Sequence, residues 1–335
     1  MEIGIHYREG SFSDRWITYC KERDIDYKIV NCYDSDIIKQ LKDCDVLLWH
    51  HHHGYYKDVL AAKRILFALE HAGVKVYPNF STGWHFDDKV AQKYLLEAIE
   101  APIVPSYVFY DKTEALNWAM STSYPKVFKL RGGAGSSNVF LIENKKKAKK
   151  YIRKMFSSGM KMSPLKMAGR NFKGFLAGRN SFYDFAKYVG LFLFPKKYEI
   201  SFMPKEKGYV YFQDFIPNNK FDTRVVVING RAIAERRMVV DGDFRASGSG
   251  IFNYDEINLD AVQIALEVSE KLKLQSCAYD FVIDNNNPLI VEMSYAFGVT
   301  GIKNAPGYWD SSLKWHETSI DFQEWILESL ITSVD

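Results

Sequence analysis

Two apolar segments separated by a short asparagine-rich turn constrain the fold of this chain more than any other feature. The segments Asp280–Asp284 and Pro288–Ser294 are predicted to form an antiparallel hairpin. Opposite residues in such a pair lie roughly 4.5–5.5 Å apart, so Asp280 and Glu292 could direct their carboxylates to one point. Ser294 shares a face with Glu292 because side chains alternate along a strand. Since Mg²⁺ is commonly held by one or two carboxylates and substrate phosphates, the hairpin predicts a magnesium site. An ordinary hairpin with solvent-facing acids is the alternative.

The length and composition indicate a globular protein with more than one domain. A chain of 335 residues is too long for one simple core, so two or three domains are expected. No apolar run reaches the roughly 18–20 residues that cross a bilayer. The four cysteines lack the CxxC spacing of zinc sites, and the N-terminus lacks the pattern of a signal peptide. We therefore expect reduced thiols and a cytoplasmic location.

Positive charge is concentrated in one stretch of the chain. Residues 145–207 contain 17 Lys and Arg against 3 acids, whereas the whole chain has a net charge of only +3. One interpretation is a helical subdomain that begins with a lysine-rich helix, Lys145–Met155, and has an aromatic core at residues 181–194. The other is a docking surface for an anionic partner: a membrane surface, a lipid-linked or acidic substrate, or nucleic acid. Nucleic acid ranks last because no nucleic-acid-binding motif is present, and docking to lipid would make the protein peripheral to the membrane.

Residues 1–104 alternate between strand and helix patterns. The predicted strands are Ile3–Tyr7, Tyr27–Val30, Val46–Trp49 and Val74–Tyr77, and the predicted helices are Asp14–Glu22, Asp36–Leu41, Tyr56–His71 and Asp88–Glu100. This alternation predicts a parallel sheet covered by helices. Ligands of such sheets lie beyond the carboxyl ends of the strands, where polar clusters occur at residues 49–54 and 80–85.

Four consecutive histidines, His50 to His53, lie in the first of these clusters. Consecutive side chains of an extended segment point to alternate faces, which disfavours a shared metal ion. Two roles stay open for these residues: an imidazole could hydrogen-bond a substrate, or the rings could be structural.

A glycine-rich turn joins two further predicted strands within residues 125–142. Its small residues are Gly132, Gly133, Gly135, Ser136 and Ser137. The backbone N–H groups of such a turn can form an anion-binding nest, and Lys129 could reach the same phosphates. The turn lacks the GxxxxGK[ST] pattern and precedes a strand, so neither a P-loop nor a dinucleotide fingerprint fits. A plain hairpin turn is the alternative.

Residues 208–302 contain the densest block of predicted elements. The predicted strands are Tyr209–Ile216, Asp222–Ile228 and Arg231–Met238, followed by a polar loop, Asp243–Gly250, and an amphipathic helix, Leu259–Leu272. The Asn229-Gly230 pair between the last two strands is a strong hairpin signal. Alternation places Glu235 and Arg237 on one face of the third strand, which could be directed to a site or to solvent.

The order of these motifs resembles that of the ATP-grasp superfamily, most closely its branch of glutathione synthetases and ribosomal-protein glutamate ligases. The resemblance covers roughly residues 85–302 and is carried by Asp88-Lys89, Val127–Leu130 with the glycine turn, Gln213–Ile216, Asp222–Arg224, Asp243–Ser247, Asp280 and Glu292. Two positions depart from the family pattern, since Ser294 and Ser247 stand where the family usually has asparagine. A hydroxyl is a weaker metal ligand than an amide oxygen, so the resemblance leaves open the metal affinity or the number of bound ions, but neither change removes a charge.

The resemblance implies a mixed α/β and α+β architecture in three parts. An N-terminal α/β domain with a parallel sheet would cover residues 1–104. An ATP-grasp fold of two α+β subdomains would follow. Residues 105–207 would form the small one, including the basic helical insertion 145–207, and residues 208–335 would form the large one with the metal site. A C-terminal helix, Ser319–Ile331, could pack on the core or on a partner chain, and we expect a homo-oligomer.

The resemblance also implies an ATP-dependent ligase that joins a carboxylate to an amine through an acyl phosphate, releasing ADP and phosphate. The residues assigned to ATP are Lys89, Lys129, Gly132, Gly133, Gly135, Ser136, Ser137, the hinge Gln213, Asp214, Phe215 and Ile216, and Asp222 at the ribose. Mg²⁺, or Mn²⁺, would bind Asp280, Glu292 and Ser294. Arg224 and Arg245 would neutralise the transferring phosphoryl group. The carboxylate and amine substrates would be small molecules or conjugates, and the basic insertion favours an anionic sugar conjugate or peptide.

Two other functions stay open on the sequence alone. A kinase on the same scaffold would share the metal site and phosphorylate a hydroxyl of an anionic substrate. A nucleotide-binding regulatory protein without turnover would suit the serines at positions 247 and 294.

Overall fold

The computed structural model describes residues 1–132, 138–161, 189–190, 193, 203–239, 246 and 250–332. Its helices are α1 (Ser13–Glu22), α2 (Ile37–Gln40), α3 (Tyr56–His71), α4 (Phe80–Gly83), α5 (Lys89–Ala98), α6 (Lys112–Ser121), α7 (Lys145–Met155), α8 (Leu259–Lys271), α9 (Val299–Lys303) and α10 (Phe322–Ile331). The strands are β1 (Ile3–His6), β2 (Tyr27–Val30), β3 (Val46–Leu48), β4 (Lys75–Tyr77), β5 (Ser106–Phe109), β6 (Lys126–Lys129), β7 (Val139–Ile142), β8 (Val210–Asp214), β9 (Phe221–Ile228), β10 (Arg231–Met238), β11 (Phe252–Asn253), β12 (Ser276–Asp284), β13 (Asn287–Ser294), β14 (Gly307–Trp309) and β15 (Trp315–Glu317). The predicted elements differ from the observed ones mainly at their ends, whereas α4, α9, β11, β14 and β15 were not predicted.

The N-terminal strands form the predicted parallel sheet. Its strand order is β2-β1-β3-β4, and every neighbouring pair is parallel. All residues of β1 and β3 are buried, as expected for strands that are covered on both faces. The carboxyl ends of β1, β3 and β4 therefore meet at one edge, where the histidine segment follows β3.

A second sheet is antiparallel and has the order β5-β8-β6-β7. Its core includes Phe128, Phe212 and the buried face of α7. Strand β8 belongs here, between β5 and β6, although the sequence pattern groups it with the large block that follows. Its neighbours in this sheet lie more than 80 residues away along the chain, and local patterns carry no information about such pairing.

The third sheet has the order β13-β12-β9-β10-β14-β15, with β11 added on β10. One face packs on α8 through residues such as Val225, Val227 and Phe281. The other face contributes Val226 and Ile233 to a core shared with the N-terminal domain. The face that carries Val226 and Ile233 also carries the residues of the candidate site.

The C-terminal helix α10 packs on the N-terminal domain of the same chain. The indole Nε1 of Trp16 donates to the carbonyl of Gln323 over 3.1 Å, and Arg15 Nε lies 2.5 Å from Asp321 Oδ2. The sequence left open whether this helix packs on the core or on a partner chain, and in the structure it packs on the core of its own chain. In the parts of the chain that the structure describes, no helix is both long enough and apolar enough to cross a bilayer.

The lysine-rich helix at the start of the basic insertion is confirmed as α7. Ala148, Ile152 and Met155 are buried, so the apolar side of the helix packs on the second sheet. Lys145, Lys146 and other basic residues of this helix are exposed. The aromatic stretch 181–194, apart from residues 189, 190 and 193, lies outside the described residues, so the docking interpretation of the insertion stays a prediction.

Candidate functional site

Four charged residues lie side by side on one face of the third sheet. Glu235, Arg224, Asp280 and Glu292 are successive backbone partners in β10, β9, β12 and β13. Asp280 and Glu292 are thus direct partners, as the hairpin pattern predicts. A β-bulge follows Asp280 and shifts the register after this row. Two residues away, the same face becomes apolar and joins the core beneath the N-terminal domain.

Asp280 is bound by two arginines. Arg224 donates to both carboxylate oxygens, over 2.8 Å from Nε to Oδ1 and 3.0 Å from Nη2 to Oδ2, and Arg237 Nη2 lies 2.7 Å from Oδ2. Burial alone would raise the pKa of Asp280, but the guanidiniums of Arg224 and Arg237 hold it well below its ordinary value. Asp280 is therefore an anion with three of its roughly four acceptor positions in use.

Asp222, the residue assigned to ribose, belongs to the same cluster. Arg237 Nε donates to Asp222 Oδ1 over 2.7 Å, and Arg237 Nη2 binds Asp222 Oδ2. Burial raises the pKa of Asp222 even though Arg237 opposes this shift. Arg237 therefore bridges Asp222 and Asp280 and fixes their relative position.

Two buried lysines flank Glu292. Lys89 Nζ lies 3.3 Å from Glu292 Oε1. Burial lowers the pKa of Lys89, but the negative charges of Glu292 and Asp87 have the larger effect, so the pKa is raised. Lys129 Nζ donates to Gln213 Oε1 over 2.6 Å. Burial lowers the pKa of Lys129 to about 8, with Glu292 acting in the opposite direction. The structure therefore brings Lys89 and Lys129 together at the acidic pair, as a phosphate site requires.

The beginning of the glycine turn is occupied by a carboxylate of the chain itself. Glu206 accepts hydrogen bonds from the backbone N–H groups of Arg131, over 3.0 Å, and Gly132, over 3.1 Å. A Cβ on Gly132 would lie only 2.9 Å from Asp87 Oδ2, so this close approach favours glycine. The N–H group of Gly132, which is predicted to bind phosphate, thus binds a carboxylate in this conformation. The other predicted residues of the turn, Gly133, Gly135, Ser136 and Ser137, lie outside the described residues, as does Arg245.

The predicted hinge connects the second and third sheets. Gln213 Nε2 donates to the carbonyl of Val291 over 3.3 Å, and Asp214 pairs with Lys126 over 2.5 Å. Phe215 and Ile216 follow β8 and lead to Asn219, which is hydrogen-bonded to both backbone groups of Ile283. A small cavity adjoins the hinge and is lined by Lys89, Gln92, Lys93, Leu96, Ile103, Ser106, Tyr211, Gln213, Ile290, Val291 and Glu292.

The residues assigned to the metal fit a magnesium ion that takes most of its ligands from phosphates and water. Asp280 and Glu292 supply two adjacent carboxylates, which is the usual protein share when phosphates and water complete the shell. Ser294 Oγ donates to the carbonyl of Ala296 over 2.8 Å, which leaves its lone pairs as acceptors. Within the described ranges, no group of three or more His, Cys, Asp and Glu residues could hold an ion by itself.

The histidine segment lies between the N-terminal sheet and the acidic pair. The carbonyl of His51 accepts from Tyr295 over 2.5 Å, and the ring of His50 stacks on Phe12 with centroids 3.7 Å apart. Burial lowers the pKa of His50, His51 and His53, which favours neutral rings. The Nε2 atoms of His50 and His51 have no hydrogen-bond partner among the described residues, so the structural and the substrate-binding roles of these rings both stay predictions. His53 is close enough to Glu292 to interact with its charge.

Sequence reasoning missed Glu206 and left Glu235 unassigned between site and solvent. Glu206 reaches the glycine turn from 74 residues away along the chain, and no local pattern marks that contact. For Glu235, the alternation along the strand indicated only that it shares a face with Arg237. The structure shows whether that face is directed to the site or to solvent. Both residues are on the site face and buried, whereas Arg236 pairs with exposed Glu256 over 3.2 Å.

Glu235→Gln is expected to stabilise the protein at pH 8 and to have little effect near pH 4.5. Burial raises the pKa of Glu235 from 4.5 to about 7, against the opposing charges of Arg224 and Arg237. Between these values the native state binds more protons than the unfolded state, so the parent loses stability as the pH rises. At about 1.36 kcal/mol per pKa unit, the loss is roughly 3 kcal/mol, and glutamine does not titrate. Urea unfolding of both proteins at pH 4.5, 6 and 8 measures this, and a difference that does not change with pH would contradict it.

Comparison with known proteins finds a family match for the part of the chain that supplies Arg224, Asp280 and Glu292 to this site. Residues 191–308 match the family described as RimK-like ATP-grasp domain. The chain is 30% identical over 89 residues to a probable alpha-L-glutamate ligase of Marinomonas sp. (strain MWYL1), which is 26% of this chain and 30% of that protein. The match thus spans less than a third of the relative's length.

Solved structures extend the likeness to the whole fold. A RimK domain ATP-grasp protein from Sphaerobacter thermophilus superimposes with a TM-score of 0.54 at 15% identity, covering 88% of this chain and 90% of that one. The ATP-grasp ligase PsnB, solved with a minimal precursor, Mg and ADP, gives 0.55 at 12% identity, covering 99% and 97%. Residues 191–308 therefore match a RimK-like ATP-grasp domain, and the chain as a whole shares the fold of these ATP-grasp structures.

Proposed function

We propose that this protein is an ATP-dependent ligase that joins a carboxylate to an amine and releases ADP and phosphate. The observation that carries this proposal is the clustering of Asp280 and Glu292 with Lys89, Lys129 and Arg224 in an ATP-grasp fold. The two carboxylates can bind Mg²⁺, and the neighbouring lysine and arginine side chains can bind phosphate oxygens. Phosphoryl transfer requires both kinds of group close together.

The nucleotide would lie between the second and third sheets. Gln213, Asp214, Phe215 and Ile216 would contact adenine, and Asp222 the ribose. The phosphates would extend toward Lys89, Lys129, Arg245 and the glycine turn at Gly132, Gly133, Gly135, Ser136 and Ser137. Glu206 would leave the N–H groups of Arg131 and Gly132 when phosphate oxygens take its place, because both anions need the same donors.

Asp280, Glu292 and Ser294 are the residues that would hold magnesium. The ion, when bound, would neutralise negative charge on the transferring phosphoryl group. Arg224 now makes two hydrogen bonds to Asp280, so it would give up part of this contact and turn its guanidinium toward the phosphoryl oxygens. Arg237 would keep Asp280 and Asp222 in position meanwhile.

The chemistry needs little covalent participation by the protein. A carboxylate is a poor electrophile because it is negatively charged and lacks a good leaving group. Attack of its oxygen on the γ-phosphorus of ATP forms an acyl phosphate and ADP, after which an amine attacks the acyl carbon and phosphate leaves. The protein positions the reactants, neutralises charge and excludes water from the acyl phosphate.

The substrates would enter between the histidine segment, residues 50–53, and helix α9. The matched relative is named a probable alpha-L-glutamate ligase, so L-glutamate is the first acid and the first amine to test. The basic insertion supports a co-substrate that carries further negative charge, such as an acidic peptide or sugar conjugate, or docking of the protein at an anionic surface.

Phosphate release from Mg·ATP, measured with pooled carboxylic acids and pooled amines that both include L-glutamate, tests the proposal. We expect release that requires an acid and an amine together. ADP formation without an amine, accompanied by a stable phosphorylated hydroxyl compound, would instead identify a kinase. Tight ATP binding without turnover in every pool would identify a regulatory nucleotide-binding protein.

A further inference from the structure

Glu235 is a buried acid for which the described residues provide an incomplete set of partners. Its side chain is on the site face of β10, directly opposite Arg224, and only 2% of the residue is exposed. Its Oε2 atom has no hydrogen-bond partner in the described parts of the chain. Buried polar groups are nearly always hydrogen-bonded in native proteins, so an unpaired carboxylate oxygen in a site suggests a missing ligand.

The nearby cations are already committed to other acids. Arg224 makes two hydrogen bonds to Asp280, and Arg237 binds both Asp222 and Asp280. Glu235 interacts with these guanidiniums at longer range, yet burial still raises its pKa to about 7. An additional cationic donor would therefore meet an acid that has no competing hydrogen bond at Oε2.

The free oxygen of Glu235 lies against helix α9. A Cβ added to Gly301 would lie 1.8 Å from Glu235 Oε2 and 2.9 Å from Phe252 Cδ1, so any side chain larger than glycine would collide with the acid. The hydroxyl of Tyr254 donates to the carbonyl of Gly301 over 2.6 Å and holds this backbone in place. Glu235 thus lies between Arg224, its partner in the row of charged residues, and helix α9, beside which the substrates are proposed to enter.

We propose that Glu235 binds the ammonium group of the amine substrate and accepts the proton that this nitrogen loses before it attacks. The proposal rests on the ligase function proposed above. It places the nucleophile beside helix α9, at the Glu235 end of the row of charged residues. A carboxylate selects a positively charged nitrogen over a neutral hydroxyl, so Glu235 would also determine that the acceptor is an amine.

The proton balance of this step is complete. The ammonium group transfers one proton to the Glu235 carboxylate and becomes a neutral amine. A bond from nitrogen to the acyl carbon then forms, and the bond from that carbon to the phosphate oxygen breaks. The leaving phosphate takes the second proton from nitrogen, and Glu235 returns its proton to solvent after product release.

Comparison of two nucleophiles separates this role from a structural one. Hydroxylamine is uncharged near neutral pH and needs no deprotonation before it attacks, whereas ammonium and the α-amino group of L-glutamate are protonated. We expect Glu235→Gln to form hydroxamate from the acid found in the phosphate-release screen at a rate within about threefold of the parent. We expect its kcat/KM for the ammonium-bearing nucleophiles to fall by roughly 10²–10⁴, the usual contribution of a general base.

The matched variants are Glu235→Asp and Glu256→Gln. The first keeps a carboxylate on a shorter side chain and should restore part of the amine reaction with a shifted acidic limb in its pH profile. That limb also reflects Arg224, Asp222, Arg237, Asp280 and Tyr254, which surround the acid and are unchanged in all variants. The second removes an exposed acid that pairs with Arg236 and should behave as the parent does.

Four outcomes are informative. Unchanged amide formation by Glu235→Gln would overturn the proposal, and so would an equal loss with hydroxylamine and with amines, since that pattern indicates a structural role. Selective loss of the amine reaction in a folded variant supports it. If the parent itself forms no hydroxamate from any acid, the ligase function fails, whatever the variants do.

Discussion

Glu292→Gln is expected to reduce ATP-dependent turnover by roughly 10³-fold while the protein stays folded. The change removes one of the two carboxylates assigned to magnesium, and metal-ion stabilisation of a phosphoryl transition state is worth several kcal/mol, at about 1.4 kcal/mol per tenfold in rate. It also removes an ion-pair partner of Lys89, which is 5% exposed and 3.3 Å from Glu292. Lys89 would then lose the largest of the negative charges that favour its charged form in a buried position.

Turnover at increasing Mg²⁺ concentrations, together with thermal unfolding, measures this effect. The matched control is Glu97→Gln, which removes a surface partner of Lys93 on the same helix as Lys89 and should change turnover less than about twofold. A Glu292→Gln variant within about threefold of the parent at every Mg²⁺ concentration would show that Glu292 is not a metal ligand.

Asp58→Ala is expected to lower the free energy of unfolding by about 3–5 kcal/mol. The Asp58 side chain is fully buried and accepts from Arg8 Nη1 over 2.9 Å, Tyr33 OH over 2.5 Å and the backbone N–H of His52 over 2.6 Å. Its removal leaves the Arg8 guanidinium with the carbonyl of His50 but without a carboxylate, and it takes this acceptor from Tyr33 and His52, which is the costly way to break a buried ion pair.

Urea denaturation at pH 7 measures the loss. Glu143→Ala, which removes an exposed partner of Lys147, is the control and should cost less than about 0.5 kcal/mol. Because Asp58 joins the ends of β1 and β3, its removal should also raise the KM of the acceptor more than the KM of ATP. A loss below about 1 kcal/mol would contradict the importance assigned to this cluster.

The parts of the fold that could be predicted are those with strong local signals. Asn229 and Gly230 both have positive φ, 46° and 73°, as a two-residue hairpin turn requires, and this pair marked the β9–β10 hairpin. The hairpin pattern indicated that Asp280 and Glu292 lie near each other, but the β-bulge beside Asp280 that brings them opposite each other became visible only in the structure.

The contacts that escaped prediction join residues far apart in the chain. The bond of Glu206 to the glycine turn and that of Lys129 to Gln213 depend on how the sheets pack, which no local pattern encodes. Strand β8 was predicted as a strand, but its place beside β5 and β6 follows only from the tertiary structure. For the same reason the motif order located the candidate site, yet the binding of Asp280 by both Arg224 and Arg237 became visible only in the structure.

The fate of the carboxylate oxygens tests most directly the claim that ATP activates an acid as an acyl phosphate. The acid identified by the screen is labelled with ¹⁸O in its carboxylate, and the released phosphate is analysed by mass spectrometry. The proposed chemistry predicts one ¹⁸O atom in each phosphate, since the oxygen that attacks the γ-phosphorus leaves with it. Phosphate without the label, or label recovered in AMP, would contradict the account.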